Sequence, residues 1–142
     1  MRRGGCHEVK NALIVFGHGS RDPLWAETLT ALGARLRAEL PDTDVELAFL
    51  EFLKPTLAEC VAGLWRGGCR DITVLPAFIA EGAHLRQELP DLVERARSGR
   101  EGLRIRLLPA MGDLAEVQEG VVRFVQGRLA RQVCEPGKSG TG

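Results

Sequence analysis

A chain of 142 residues, 44% hydrophobic and 27% charged, is long enough to bury a core of its own as one domain. Its 19 basic and 19 acidic side chains cancel, which excludes a global field that would draw in nucleic acid or an anionic membrane. Five Phe, two Trp and no Tyr are too few for a base-stacking platform, and no apolar run reaches the length of a bilayer span.

Residues 1–10 (MRRGGCHEVK) carry charge but no long apolar stretch, so they read as a disordered leader rather than a secretion signal, with His7 incidental. Ala12–Phe16 (ALIVF) predicts a first strand. Asp22 is expected to cap the following helix with Pro23 at its first position. Trp25, Leu29, Leu32, Leu36 and Leu40 then recur at helical spacing until Pro41. Val45–Leu50 is a second strand, and Leu57, Val61, Leu64 and Trp65 stripe a helix over Pro55–Arg66 that Gly67-Gly68 stops. After a third strand, Ile72–Phe78, a helical face of Leu85, Leu89, Leu92, Val93 and Ala96 is interrupted by Pro90, which predicts a short first helix or a kink. Leu103–Leu108 alternates with Arg104 and Arg106, as an edge strand with one wet face does. Leu114, Val117, Val121, Phe124, Val125 and Leu129 line a last helix, and residues 134–142 read as a disordered tail.

Strand–helix alternation of this kind predicts an α/β fold with right-handed crossovers. The expectation is a flavodoxin-like three-layer sandwich over residues 11–133, with a four-stranded parallel sheet in the order 2-1-3-4 and helices on both faces. None of Cys6, Cys60, Cys69 and Cys134 forms a CxxC pair. They read as reduced thiols of a soluble cytoplasmic protein, with Cys60 a small core residue.

His18, Glu51 and His84 each lie just past a predicted strand. In an open parallel sheet those strand ends share one crevice, where ligands bind. Gly17 and Gly19 flank His18 in Gly17–Asp22 (GHGSRD) and let the backbone turn sharply there. The third glycine of a dinucleotide fingerprint is missing, and Gly17 stands where a phosphohistidine-type phosphatase would carry arginine. Glu51 is a charge amid the apolar neighbours of Leu50–Leu53 (LEFL), although strand alternation alone could also turn Glu46 and Glu51 to solvent. His84 on its own fits a solvated residue at a helix start. Two imidazoles and a carboxylate at one edge form a borderline metal site with proton-accepting capacity, which points to a metal-handling enzyme.

These segments resemble the short, single-domain class II tetrapyrrole chelatases of the CbiX and SirB type. The resemblance runs from about Ala12 to Arg128 and rests on Gly17–Asp22, Ala48–Leu53 (AFLEFL), Pro76–Phe78, Glu81–Leu85 (EGAHL) and Arg86–Pro90 (RQELP). The His, Glu, His pattern recurs in steps of 33 residues. The chain departs from many relatives after the fourth strand, reading Met111–Leu114 (MGDL) in place of a Gly-x-His-Pro-like motif.

The resemblance implies ATP-independent insertion of Co²⁺ or Fe²⁺ into sirohydrochlorin, for cobalamin or sirohaem synthesis, with no cofactor beyond the substrate metal. It implies His18, Glu51 and His84 as metal ligands and proton acceptors. Arg21 and Arg86 become candidate anchors for the carboxylates of the substrate. Phe78, with Phe16, Phe49 and Phe52, is a candidate apolar surface for the ring, core packing being the other reading of each. It further implies a homodimer, since longer relatives set two such domains face to face. Two other readings stay open: a non-catalytic metal or tetrapyrrole carrier, and a mononuclear Fe(II) enzyme using two histidines and a carboxylate.

Overall fold

Strands buried on both faces call for near-continuous apolar runs, which the first three strands largely supply, Glu46 and Thr73 excepted. The computed structural model describes residues 10–133. The expected leader, apart from Lys10, and the expected tail lie outside the described residues, as do Cys6, His7 and Cys134. β1 (Asn11–Gly17), β2 (Thr43–Phe49), β3 (Asp71–Pro76) and β4 (Arg104–Leu107) form one parallel sheet in the order β2-β1-β3-β4. This is the expected topology. It brings all four carboxyl ends to one edge, with Gly17 beside Phe49 and Phe16 beside Pro76.

The two faces of the sheet differ. Ala12, Ile14, Phe16, Ala48, Ile72 and Val74 turn to one side and pack with α2 (Leu57–Arg66) and α3 (Ala83–Arg97) through residues such as Val61 and Leu89. Each Ile, Val, Leu or Phe side chain among them, once fully buried, stabilises the fold by about 1.5–3 kcal/mol. On the other side Val15, Val45 and Phe49 pack with Leu29 of α1 (Trp25–Glu39). Here α1 lies over β1 and β2. Cys60 and Cys69 are free, buried thiols of the larger core, as expected for Cys60.

Four local expectations need correction. α1 begins at Trp25 rather than at Pro23, because Asp22 closes a preceding turn: its Oδ1 accepts the Leu24 N–H at 2.9 Å and its carbonyl accepts the Trp25 N–H at 3.1 Å. Pro90 does not cut off a short first helix: α3 runs unbroken from Ala83 to Arg97 with the proline inside it. α2 starts at Leu57 rather than Pro55, behind a capping box: the Thr56 hydroxyl accepts the Glu59 N–H and the Glu59 carboxylate accepts the Thr56 N–H. Last, α4 (Ala115–Val133) follows a 3₁₀ turn, Met111–Asp113, and leaves Val121, Phe124, Val125 and Leu129 exposed rather than packed on the sheet.

Candidate metal and macrocycle site

Past the end of β1 the chain stays clamped to its neighbour. The Gly17 carbonyl accepts the Leu50 N–H at 2.9 Å, and the His18 carbonyl accepts the Glu51 N–H at 3.1 Å. The two strands thus remain in register one step beyond the sheet, where the side chains become functional. Gly19 takes a positive φ of 94°, and a Cβ there would overlap the Glu51 carbonyl oxygen. The glycine that looks like generic turn chemistry in the sequence is therefore the seat of the Glu51 backbone. Phe52 follows with a φ of 63°, in a turn closed by the Leu53 N–H donating to the Glu51 carbonyl at 2.8 Å. A bulky residue in the left-handed region is strained by about 1–3 kcal/mol, and such strain collects at functional sites.

This backbone places His18 Nε2 3.0 Å from Glu51 Oε1, with the side chains 52% and 47% exposed. The pair is open to solvent, so its own attraction is worth no more than about 1 kcal/mol. It stands because the chain positions it. The edge of the His18 ring meets Phe78 at a centroid separation of 6.2 Å, and Phe78 in turn meets Phe16 at 5.9 Å. Phe78 is buried, so it backs the imidazole and has little open face of its own.

His84 is the second residue of α3. Its side chain is 85% exposed, and its Nδ1 lies 3.2 Å from Glu88 Oε2, one turn along the same helix. The structure thus joins His18 to Glu51 and leaves His84 paired elsewhere. Among the described residues no three His, Cys, Asp or Glu side chains are grouped to hold a metal ion. The Arg21 guanidinium lies 4.9 Å from the centre of the Phe52 ring, and Arg86 Nε lies 3.9 Å from Glu81 Oε2. Both remain at the same edge as the pair.

Sequence reasoning missed two features of this edge. The loops leaving β1, β2 and β3 each expose one large apolar side chain: Leu24, Phe52 (54% exposed) and Ile79 (77% exposed). Phe52 was among the candidate aromatics, whereas Leu24 and Ile79 carry no signal in the sequence beyond sitting in loops. The other feature is Gly112, in the segment that departs from the family motif. Its N–H donates to the Phe78 carbonyl at 2.9 Å, and a Cβ there would overlap the Ile79 backbone. The turn after β4 is thereby closed onto the loop that leads to His84.

Residues 12–127 match the CbiX family model. The chain belongs to the CbiX family. A sirohydrochlorin cobaltochelatase of Methanococcoides burtonii is 29% identical over 93 residues, which are 66% of this chain and 71% of that protein. A solved structure from Marinobacter aquaeolei, assigned to cobalamin (vitamin B12) biosynthesis as a CbiX protein, superposes with a TM-score of 0.75 at 29% identity and covers 85% of this chain and 98% of that one. The sirohydrochlorin chelatase SirB of Bacillus subtilis, solved in complex with cobalt, superposes with a TM-score of 0.70 at 26% identity. That match covers 83% of this CbiX chain but 50% of SirB. The fold expected from the resemblance is therefore the fold of solved chelatases, and this CbiX chain corresponds to about half of SirB.

Proposed function

We propose that this CbiX protein inserts a divalent metal, Co²⁺ or Fe²⁺, into sirohydrochlorin without ATP. The observation that carries the reading is the His18–Glu51 pair at the carboxyl edge of the sheet, 3.0 Å apart and open to solvent. Two donors on bonds of about 2.1 Å stand roughly 3.0 Å apart when their bonds meet at a right angle and roughly 3.4 Å apart at a tetrahedral angle. The separation already present in the protein suits one cation shared between Nε2 and Oε1.

In the reaction the incoming metal replaces two pyrrolic protons, so two protons must leave for each ion inserted. His18 and Glu51 first hold the metal and then, as it passes to the ring nitrogens, become free to take those protons. Imidazole and carboxylate grip first-row ions moderately, which suits a site that must release its metal. His84 is the third ligand of this reading, and it reaches the pair by leaving Glu88. Leu24, Phe52 and Ile79 give a flat macrocycle an apolar rest, in keeping with the way exposed apolar patches mark binding surfaces. Phe78 supports the ring from behind His18, while Arg21 and Arg86 meet its carboxylates. No resident cofactor is required.

The compartment we infer is the cytoplasm, a reading supported by two free buried thiols; no described helix is long and apolar enough to cross a membrane. The working unit we infer is a homodimer, supported by a chain that matches half of SirB.

The test is anaerobic mixing of pure protein with sirohydrochlorin and each metal at matched free concentration, followed by absorption. Catalytic turnover is expected, with His18→Ala lowering the rate by roughly 10²-fold or more and Glu51→Gln by roughly 10- to 100-fold. Binding that stops at one equivalent would indicate a carrier, and turnover of a small co-substrate with oxygen, without chelation, would indicate an Fe(II) enzyme.

A further inference from the structure

The loop that carries Glu51 contains a turn whose central residue the fold does not explain. The Leu53 N–H donates to the Glu51 carbonyl at 2.8 Å across Phe52, whose φ is 63°. A hydrogen bond that spans two residues around a positive φ makes a γ-turn of the rare, strained kind. The turn itself has a packing reason: Leu50 joins the larger core and Leu53 the smaller, so the chain must change face between them. That reason asks for glycine or asparagine, which accept a positive φ. Phenylalanine accepts it badly.

Packing does not hold the phenyl ring either. Phe52 is exposed and belongs to neither core. Its face meets the Arg21 guanidinium, 4.9 Å from the ring centre. Arg21 is exposed as well, in the loop leaving β1, where the Asp22 N–H donates to Ser20 Oγ at 3.1 Å and curls the backbone around it. Among the described residues no carboxylate forms an ion pair with Arg21. The two side chains thus stand beside the metal pair, Phe52 directly after Glu51 and Arg21 in the same turn as His18.

An aromatic face and an unpaired cation, each next to one member of that pair, complement a ligand that is flat, conjugated and carboxylated at its rim. We propose that Phe52 is the specificity-determining residue of the site. Its ring stacks on a pyrrole ring of the macrocycle, and Arg21, which covers that face in the free protein, leaves it to pair with a carboxylate of the same substrate.

Both partners gain in the exchange. A cation over an exposed ring is held weakly, whereas a guanidinium on a carboxylate makes two parallel, charge-assisted hydrogen bonds. The phenyl face receives a broad conjugated surface in place of a hydrated cation, and water leaves both. Until the substrate arrives, Arg21 keeps an otherwise bare ring covered. The strained turn persists because it holds the ring out of the core and beside the metal ligands. Recognition of this kind deepens the insertion reading above and rests on it, but it concerns binding of the ring rather than its metallation.

Equilibrium titration of the full chain with sirohydrochlorin, without metal, gives the Kd, and urea unfolding gives the stability. Phe52→Gly is expected to unfold at the wild-type urea midpoint or above it, because relief of the strained φ outweighs the added freedom of the unfolded chain. Its Kd is expected to rise at least tenfold, and the KM for insertion with it. Phe52→Leu keeps the strain and an apolar side chain without a flat face, and is expected to bind nearly as weakly. Phe52→Tyr restores the face and is expected to recover the affinity. Arg21→Met should weaken binding and flatten its dependence on salt, since one ion pair is gone. Wild-type affinity in Phe52→Gly or Phe52→Leu would overturn the stacking role, and an unaltered salt dependence in Arg21→Met would overturn the exchange. Insertion by the wild type with an unchanged KM in Phe52→Gly would sink this inference alone. Tight binding of the ring by the wild type without turnover, with the variants weakened as expected, would sink the insertion reading and leave the recognition standing.

Discussion

His18 and His84 leave the same edge of one sheet, yet they are held in opposite ways. His18 is held at three points: the neighbouring strand grips its backbone, Gly19 seats the residue it pairs with, and Phe78 backs its ring. His84 stands on the first turn of a helix with a partner four residues along, an exposed contact worth about 0.3–0.5 kcal/mol. The difference separates two tasks. A receiving pair benefits from being rigid before the metal arrives, because no ordering remains to be done. A third donor that must join and then let go benefits from a weak prior attachment. On the proposed reading, the contrast between the two histidines divides capture from release.

The most severe way to break the rigid half is Gly19→Ala. A side chain there meets both an unfavourable φ and the Glu51 carbonyl, so the substitution is expected to cost about 3 kcal/mol or more. It should also displace Glu51 from His18, so that insertion falls further than the loss of folded protein explains. Urea unfolding alongside the insertion rate checks both.

The mobile half is probed by a pair of variants. His84→Ala is expected to lower the insertion rate by roughly 10²-fold with a urea midpoint near that of the wild type, because the side chain is mostly exposed. Glu88→Gln releases His84 and should leave the rate unchanged or raise it. A His84→Ala enzyme with the wild-type rate would confine the metal chemistry to the rigid pair.

The mildest test concerns the far end of the loop that carries Glu51, where the capping box opens α2. Thr56→Ala is expected to cost about 1 kcal/mol in urea unfolding. The Lys54 ammonium, with the Thr56 N–H, holds the Glu59 carboxyl below its ordinary value. A carboxyl lowered in the folded state stabilises the protein at pH values above the unfolded-state value of about 4.3, and that contribution is lost as the pH falls through the folded-state value. Removing the ammonium with Lys54→Met should therefore shrink the loss of stability between pH 6 and pH 3, while leaving His84 and its surroundings untouched.

The sheet was legible because buried parallel strands must be apolar throughout, and Ala12–Phe16 and Ile72–Phe78 announce themselves on that ground alone. Glu51 was legible for the converse reason, as a charge where the pattern wants none. The pairing of His18 with Glu51 could be anticipated from two strand ends on one edge, although its closeness depends on Gly19 and on the left-handed turn at Phe52, which no periodicity reveals. The start of α2 was readable in Thr56-x-x-Glu59 and was overlooked in favour of Pro55. The short first helix expected at Pro90 does not form, because removing one N–H from a helix packed through Leu89 and Ala96 need not divide it. The exposure of α4 was beyond reach: its apolar stripe predicts a buried face, whereas Val121, Phe124, Val125 and Leu129 stand exposed. Where His84 points is set by a contact with Glu88 too weak to be read from residue types.

The two buried cysteines acquire meaning once a metal is the cargo. Sulfur is the softest donor available to the chain, and as a thiolate it would hold cobalt or iron far more tightly than nitrogen and oxygen do. Burial pushes the Cys60 thiol up to about 12 and raises that of Cys69 as well. Both keep their protons at neutral pH and stay chemically silent. Among the described residues the core thereby hides the thiols, the groups most able to sequester the ion, from cargo arriving at the open edge.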